Sequence, residues 1–142
     1  LARALSARNY AVWLIGSAKD AELAGDIRAQ SGGVCENLCG KTELAAAIDL
    51  MACASLVVSN DSGLMHVAAA LGKPLIALYG SSSPAHTPPL CAAARIVKID
   101  IECSPCFARD CPLGHFKCMN ELLPARVLAE IDALSEPAGA GN

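Results

Sequence analysis

Hydrophobic positions along the chain form short runs that alternate with longer stretches of helical spacing. The short runs are bounded by Gly, Ser, Asn or Asp and predict strands, whereas the longer stretches predict helices. The predicted strands are residues 11–15, 34–38, 56–59, 75–79 and 95–99. The predicted helices are residues 1–9, 20–30, 43–53, 64–71 and 124–134, with an irregular cysteine-rich loop at 102–121.

This alternation of strand and helix predicts an α/β fold, a Rossmann-like parallel sheet with helices on both faces. We expect one domain over residues 1–135, followed by a flexible tail at 136–142. Parallel sheets bind ligands outside the carboxyl ends of their strands. The loops expected to carry function are therefore those that follow strands, at residues 16–20, 38–42, 59–63 and 79–90.

Composition and charge exclude several classes of partner. Hydrophobic residues make up 54% of the 142 residues and charged residues 18%, which is typical of a globular domain. The net charge of -3 argues against a nucleic-acid partner. The most apolar stretch, residues 44–58, contains a charged residue and is shorter than the roughly 20 residues that cross a bilayer. Residues 1–9 do not resemble a signal peptide, so we expect a cytoplasmic protein.

A candidate anion site lies where the strand ending at Ser59 leads into the next predicted helix. The first turn of a helix has free N–H groups and a partial positive charge, which suit a phosphate. Gly63 lets an anion approach the backbone because it has no Cβ. Ser62 adds a hydroxyl donor. This junction predicts a phosphate-binding turn.

Two residues at this turn, Asp61 and His66, have two interpretations each, and two residues of other loops have a purely local one. Asp61 either caps the helix or accepts hydrogen bonds from sugar hydroxyls. His66 either donates to a phosphate or sugar oxygen, or is a hydrogen-bonded core histidine. Asp20 is explained by itself as an acidic residue at a helix N-terminus, and Thr42 as an N-cap.

Several motifs in order make the sequence similar to a known family. They include residues 61–71 (DSGLMHVAAAL), residues 73–80 (KPLIALYG) and the loop at 14–20 (LIGSAKD). Residues 40–44 (GKTEL), residues 83–84 (SP) and 87–89 (TPP), and the cysteine-rich segment from Cys103 to Met119 complete the set. Together they resemble the heptosyltransferase family (glycosyltransferase family 9) from about residue 11 to residue 131.

The resemblance implies half of a GT-B fold, namely the C-terminal domain that binds the donor ADP-heptose. In such a domain Ser62 and Gly63 contact the diphosphate, and Asp61 and His66 line the sugar side. Asp20 matches the position that holds the ribose hydroxyls, and the backbone near Thr42 faces the adenine.

The same resemblance implies an inverting transfer of heptose to the inner core of lipopolysaccharide, with no cofactor required for catalysis. The general base is then an aspartate of an N-terminal domain that also binds the acceptor, so no catalytic residue is expected among these 142 residues. We expect these residues alone not to transfer heptose. Peripheral association with the cytoplasmic face of the inner membrane is a further expectation for the intact enzyme.

A second signal is the run Cys103-x2-Cys106-x4-Cys111-x6-Cys118, which has His115 inside it. Four thiolates, or three with a histidine, match a structural zinc site, whereas the spacing matches none of the common iron–sulfur runs. Disulfides formed on oxidation and free thiols remain equal alternatives. The other four cysteines are predicted to be ordinary small buried residues, namely Cys35, Cys39, Cys53 and Cys91.

Three other functions fit parts of the pattern: a different GT-B-like nucleotide-sugar enzyme such as an epimerase, a non-catalytic nucleotide-binding module, and a metal-binding interaction domain built on the cysteines. The order of the motifs favours the transferase over each alternative.

The loop at residues 81–84 is interpreted as a plain connection rather than part of the donor site.

Overall fold

A computed structural model describes residues 1–135, which form two compact units, Leu1–Leu50 and the residues from Met51 onward. The helices and strands in chain order are α1 (Ala2–Ser6), β1 (Val12–Leu14), a 3-10 turn (Ala18–Asp20), α2 (Ala21–Gln30), β2 (Cys35–Asn37), α3 (Leu44–Cys53), β3 (Val57–Asn60), α4 (Gly63–Ala70), β4 (Leu75–Tyr79), β5 (Ala94–Lys98), α5 (Lys117–Asn120) and α6 (Pro124–Ser135). The boundary between the units falls within α3.

The first unit contains a β-α-β arrangement in which β1 and β2 pair in parallel and α2 connects them. The helix ends because Gly32 and Gly33 both have positive φ. Their N–H groups bond the carbonyls of Ala29 (3.1 Å) and Arg28 (2.8 Å), which are carbonyls left unpaired at a helix C-terminus. After α2 ends, the chain enters β2, which runs parallel to β1, so both strands end on the same side of the unit.

The second unit contains a parallel sheet in the order β3-β4-β5. Its central strand β4 is fully buried at Leu75, Ile76 and Ala77, as expected for a strand covered on both faces. Helix α4 contacts β3 and β4, and α6 contacts β4 and β5. The core of this unit is therefore built around β4, and α4 begins beside the carboxyl end of β3.

The predicted α/β fold class is confirmed, since every observed ladder is parallel and helices alternate with strands. The strands of the described residues form two parallel sheets, however, where the sequence predicted one. Each predicted strand is present within a residue or two of its predicted position. One difference is α5, a short helix within the loop that was predicted to be irregular. The single domain over 1–135 stays a prediction, and the tail at 136–142 lies outside the described residues. No helix in residues 1–135 is both long and apolar enough to cross a membrane.

Candidate functional site

The turn between β3 and α4 leaves the N-terminus of the helix without a side-chain cap. Ser62 is the N-cap residue, with an extended backbone, but its hydroxyl makes no capping bond. Instead, its Oγ lies 3.2 Å from the Oγ of Ser59. Asp61 does not cap the helix either, because its carboxylate accepts a bond from another loop. The capping interpretation of Asp61 is therefore wrong.

The first amides of α4 are open to an incoming group. Among the described residues, no acceptor is bonded to the N–H groups of Gly63 and Leu64. Gly63 is exposed, and a Cβ built on it would meet nothing within 4 Å. Crowding by other protein atoms therefore does not explain why position 63 is a glycine. Unpaired amides and an unshielded backbone are the features that an anion-binding helix end requires.

Asp61 is held by Thr87, a residue of the loop at 79–90 to which the sequence assigned no contact in the site. The Thr87 hydroxyl donates to Oδ2 of Asp61 at 2.9 Å, and the Tyr79 hydroxyl donates to the Thr87 carbonyl. Burial raises the pKa of the Tyr79 phenol, and the nearby Asp61 charge raises it further. Thr87 belongs to a motif that carried the family resemblance, but nothing in the sequence indicated which side chain it contacts.

His66 lies one turn into α4 and is exposed to solvent. The alternative of a buried core histidine is therefore wrong. The structure thus brings four of the predicted donor-binding residues to one helix start in the second unit, namely Asp61, Ser62, Gly63 and His66.

The remaining two predicted residues lie in the first unit. Oδ2 of Asp20 accepts bonds from the backbone N–H of Ser17 (2.8 Å) and from its hydroxyl (2.7 Å). These bonds, the hydroxyl's first, lower the pKa of the Asp20 carboxyl. The residue therefore stabilises the start of its own 3-10 turn, as the local interpretation expects. No described residue donates to its other oxygen, Oδ1.

Thr42 does not cap a helix by hydrogen bonding, so that interpretation is wrong. Its Oγ1 is buried and has no hydrogen-bond partner among the described residues. The loop that carries it is tied to the loop before Asp20, because the Gly40 N–H donates to the Gly16 carbonyl at 3.0 Å. The two predicted nucleoside-binding loops are thus in contact at the carboxyl ends of β1 and β2.

The cysteine-rich loop encloses a cavity of about 230 Å³. Its lining includes all four predicted ligands and the intervening histidine, namely Cys103, Cys106, Cys111, Cys118 and His115. Within residues 1–135, however, no three His, Cys, Asp or Glu side chains are grouped so that they could hold a metal ion. The thiols are free, and no disulfide joins them. Backbone N–H groups, that of Phe116 first, lower the pKa of the Cys111 thiol.

The zinc site therefore stays a prediction, and metal analysis tests it. If these thiolates are ligands of a structural zinc ion, full-length protein purified under reducing conditions will contain about one equivalent of zinc, and Cys111→Ser will lose it. Cys53→Ser is the matched control because Cys53 is an exposed thiol outside the cavity. A metal-free protein in which the four loop cysteines react with a thiol reagent would contradict the prediction.

The four other cysteines divide by environment. Cys35 and Cys39 are buried, as predicted for small core residues. Cys91 is half-buried, and Cys53 is exposed. The prediction is wrong for Cys53, which is the last residue of α3 and lies exposed, and it holds only in part for Cys91.

Comparisons with known proteins add independent evidence. Residues 1–117 match the model of glycosyltransferase family 9 (heptosyltransferase). The chain is 44% identical over 138 residues to lipopolysaccharide heptosyltransferase 2 of Escherichia coli, covering 94% of this chain and 40% of that protein. It is 42% identical over 143 residues to lipopolysaccharide heptosyltransferase 2 of Salmonella typhimurium, covering 98% of this chain and 41% of that protein. The chain thus spans about 40% of the length of these curated relatives.

Two solved structures are similar in fold. One is the ADP-heptose lipopolysaccharide heptosyltransferase II of Escherichia coli, with a TM-score of 0.80 and 42% identity over 94% of this chain and 38% of that one. The other is a family 9 glycosyl transferase from Veillonella parvula, with a TM-score of 0.79 and 25% identity over the same shares. The similarity of fold therefore extends over nearly all of this chain.

Proposed function

The chain belongs to glycosyltransferase family 9, and on that premise we propose that it is the donor-binding part of a heptosyltransferase. The donor is ADP-heptose, and the acceptor is the inner core of lipopolysaccharide. The observation that carries the proposal is the open N-terminus of α4, with its unpaired amides at Gly63 and Leu64. The names of the relatives support the same chemistry, since they are lipopolysaccharide heptosyltransferases.

The diphosphate of the donor is assigned to the start of α4. The two amides and the hydroxyl of Ser62 supply hydrogen-bond donors, and the helix adds a partial positive charge of about half a unit. Glycine at position 63 permits direct contact between phosphate oxygens and the backbone. The same groups stabilise the charge on the departing ADP, which is the electrostatic part of the transfer.

The sugar of the donor is assigned to Asp61 and His66. A carboxylate beside a diphosphate is unfavourable for the phosphates, but it is a strong acceptor for hydroxyl groups. Thr87 occupies only one oxygen of Asp61, so the other can accept a hydroxyl of the heptose. His66 is exposed and can therefore reach a bound molecule.

The nucleoside is assigned to the paired loops of the first unit. Asp20 keeps Oδ1 available for ribose hydroxyls while Oδ2 is used by Ser17. The bonds to Ser17 also keep this carboxylate ionised to lower pH than usual, which maintains its strength as an acceptor. The backbone near Thr42 is assigned to the adenine.

The general base and the acceptor site are proposed to lie outside these residues, in the N-terminal domain of the enzyme. We place the intact enzyme in the cytoplasm, with peripheral contact to the inner membrane where its acceptor lies. Catalysis is proposed to need no cofactor, since the open helix end supplies the positive field for the leaving group.

Calorimetric titration of the full-length protein with ADP and with ADP-heptose tests the proposal. Both ligands are expected to bind. Asp20→Ala should weaken both by roughly tenfold, because a charge-assisted bond to a hydroxyl is worth about 1.5 kcal/mol or more. Glu22→Ala is the matched control, an exposed acidic residue in the first turn of the next helix.

Two results would contradict the proposed function. One is tighter binding of a UDP-sugar or GDP-sugar than of ADP-heptose, which would favour another nucleotide-sugar enzyme. The other is binding without heptose transfer by the full-length protein to a heptose-acceptor lipopolysaccharide, which would favour a non-catalytic module.

A further inference from the structure

We propose that Thr87 is a positioning residue that sets the orientation of the Asp61 carboxylate for the sugar of the donor. This inference rests on the proposed function, because it gives Asp61 its role toward the sugar. It adds Thr87 to the residues that the sequence motifs assign to the donor site.

The contact itself joins two segments that are 26 residues apart in the chain. Thr87 Oγ1 lies 2.9 Å from Oδ2 of Asp61 and 3.3 Å from the carbonyl of Ser83. A hydroxyl has one hydrogen, and the shorter distance to a charged acceptor makes the carboxylate the preferred partner. The bond fixes Oδ2 of Asp61, whereas Oδ1 has no hydrogen-bond partner among the described residues.

Thr87 is itself anchored to the core of the second unit. The Tyr79 hydroxyl donates to the Thr87 carbonyl, and it also lies 3.5 Å from Sδ of Met65 on α4. Tyr79 ends the central strand β4 and is 1% exposed. Because Met65 is fully buried on the helix whose first turn forms the site, the anchor fixes Thr87 relative to that helix.

The other end of the same loop is braced by the cysteine-rich loop. The Phe107 N–H donates to the Ser81 carbonyl at 2.7 Å, and the Ser104 hydroxyl donates to the Gly80 carbonyl at 2.7 Å. The Phe107 ring meets His86 edge-on, with ring centres 5.2 Å apart. Residues 80–87 are thus held at both ends, which gives the cysteine-rich loop a supporting role in the donor site.

A carboxylate held in this way meets its ligand without first losing rotational freedom. Without the Thr87 donor, Asp61 can rotate, and part of the binding free energy is then spent on ordering it. The loss should be confined to ligands that carry the sugar. The diphosphate is assigned to the amides of Gly63 and Leu64, whereas the hydroxyl of Thr87 donates to Asp61.

The test compares Thr87→Val with Thr87→Ser in the full-length protein, by titration with ADP and with ADP-heptose. Valine keeps the shape but removes the donor, and serine keeps the donor. We expect Thr87→Val to weaken ADP-heptose binding about tenfold, equivalent to ~1.4 kcal/mol, with ADP binding changed less than about twofold. Thr87→Ser should restore most of the ADP-heptose affinity. Ser83→Ala is the control, because within residues 1–135 the Ser83 Oγ accepts a bond only from the Ala85 N–H of the same loop.

Equal weakening of ADP and ADP-heptose by Thr87→Val would overturn the inference, since it would mean that the turn as a whole had shifted. Unchanged affinity for both ligands, or a Thr87→Ser variant as weak as Thr87→Val, would also overturn it. If the wild-type protein bound neither ligand, the proposed function would fail first. The wild-type titration therefore separates that failure from a failure of the Thr87 assignment.

Discussion

Replacing Gly63 with glutamate is expected to abolish donor binding while leaving the protein folded. The substitution places a carboxylate at the first residue of α4, where the diphosphate is proposed to bind. Repulsion between the two anions, together with blocked access to the amides, should lower the affinity for ADP by roughly a hundredfold or more. Losses of this size correspond to about 2.7 kcal/mol, which is within the range for a site that loses its anion-binding groups.

The fold should tolerate this change for two reasons. A Cβ at position 63 meets nothing within 4 Å, so the new side chain has room. A negative charge in the first turn of a helix is also favourable, by about 0.5 kcal/mol, because it lies at the positive end of the helix dipole. The free energy of unfolding should therefore be unchanged or slightly higher, in contrast to the binding affinity.

Gly25→Glu is the matched control for this experiment. Gly25 lies within α2, and a Cβ there also meets nothing within 4 Å. The variant adds the same side chain to a helix that carries none of the residues assigned to the donor, so ADP should bind as it does to the wild type. Calorimetry gives the affinities, and urea unfolding gives the stability. Wild-type ADP affinity in folded Gly63→Glu would place the diphosphate somewhere other than the start of α4.

The sequence predicted those parts of the fold that depend on local pattern. Runs such as residues 75–79 are too apolar to be anything but buried, and Gly72 marks the end of α4 because it takes a positive φ there. The start of α4 was also predictable, since a strand, a glycine-containing turn and a helix follow one another directly.

The contacts between distant segments were not predictable in the same way. Asp61 looked like a helix cap because Asp is common at that position, but its partner is Thr87, and no local rule connects residues 26 positions apart. Thr42 was likewise interpreted as a helix cap, but its buried hydroxyl has no hydrogen-bond partner in residues 1–135. A sequence shows that a side chain can form a bond, whereas the partner depends on how the loops fold back.

Gly40 is a position where such long-range packing should decide stability, and Gly40→Ala is expected to be strongly destabilising. The residue has a φ of 71°, in the left-handed region that costs other residues about 1–2 kcal/mol. A Cβ built on it would also lie 2.8 Å from the Cα of Ala18, a backbone atom that cannot move alone. Displacing that backbone should add a further ~1–3 kcal/mol, so the total loss is expected to be about 3 kcal/mol.

Gly33→Ala separates the two contributions, because Gly33 has a similar φ of 77° but nothing lies within 4 Å of its Cβ position. Its loss of stability in urea unfolding should be about 1–2 kcal/mol, the backbone contribution alone. The excess for Gly40→Ala then measures the contact between the loop after β2 and the loop before Asp20. Equal losses for the two variants would mean that the loops separate without cost. In that case Asp20 and the backbone near Thr42 would not be held together for one nucleoside.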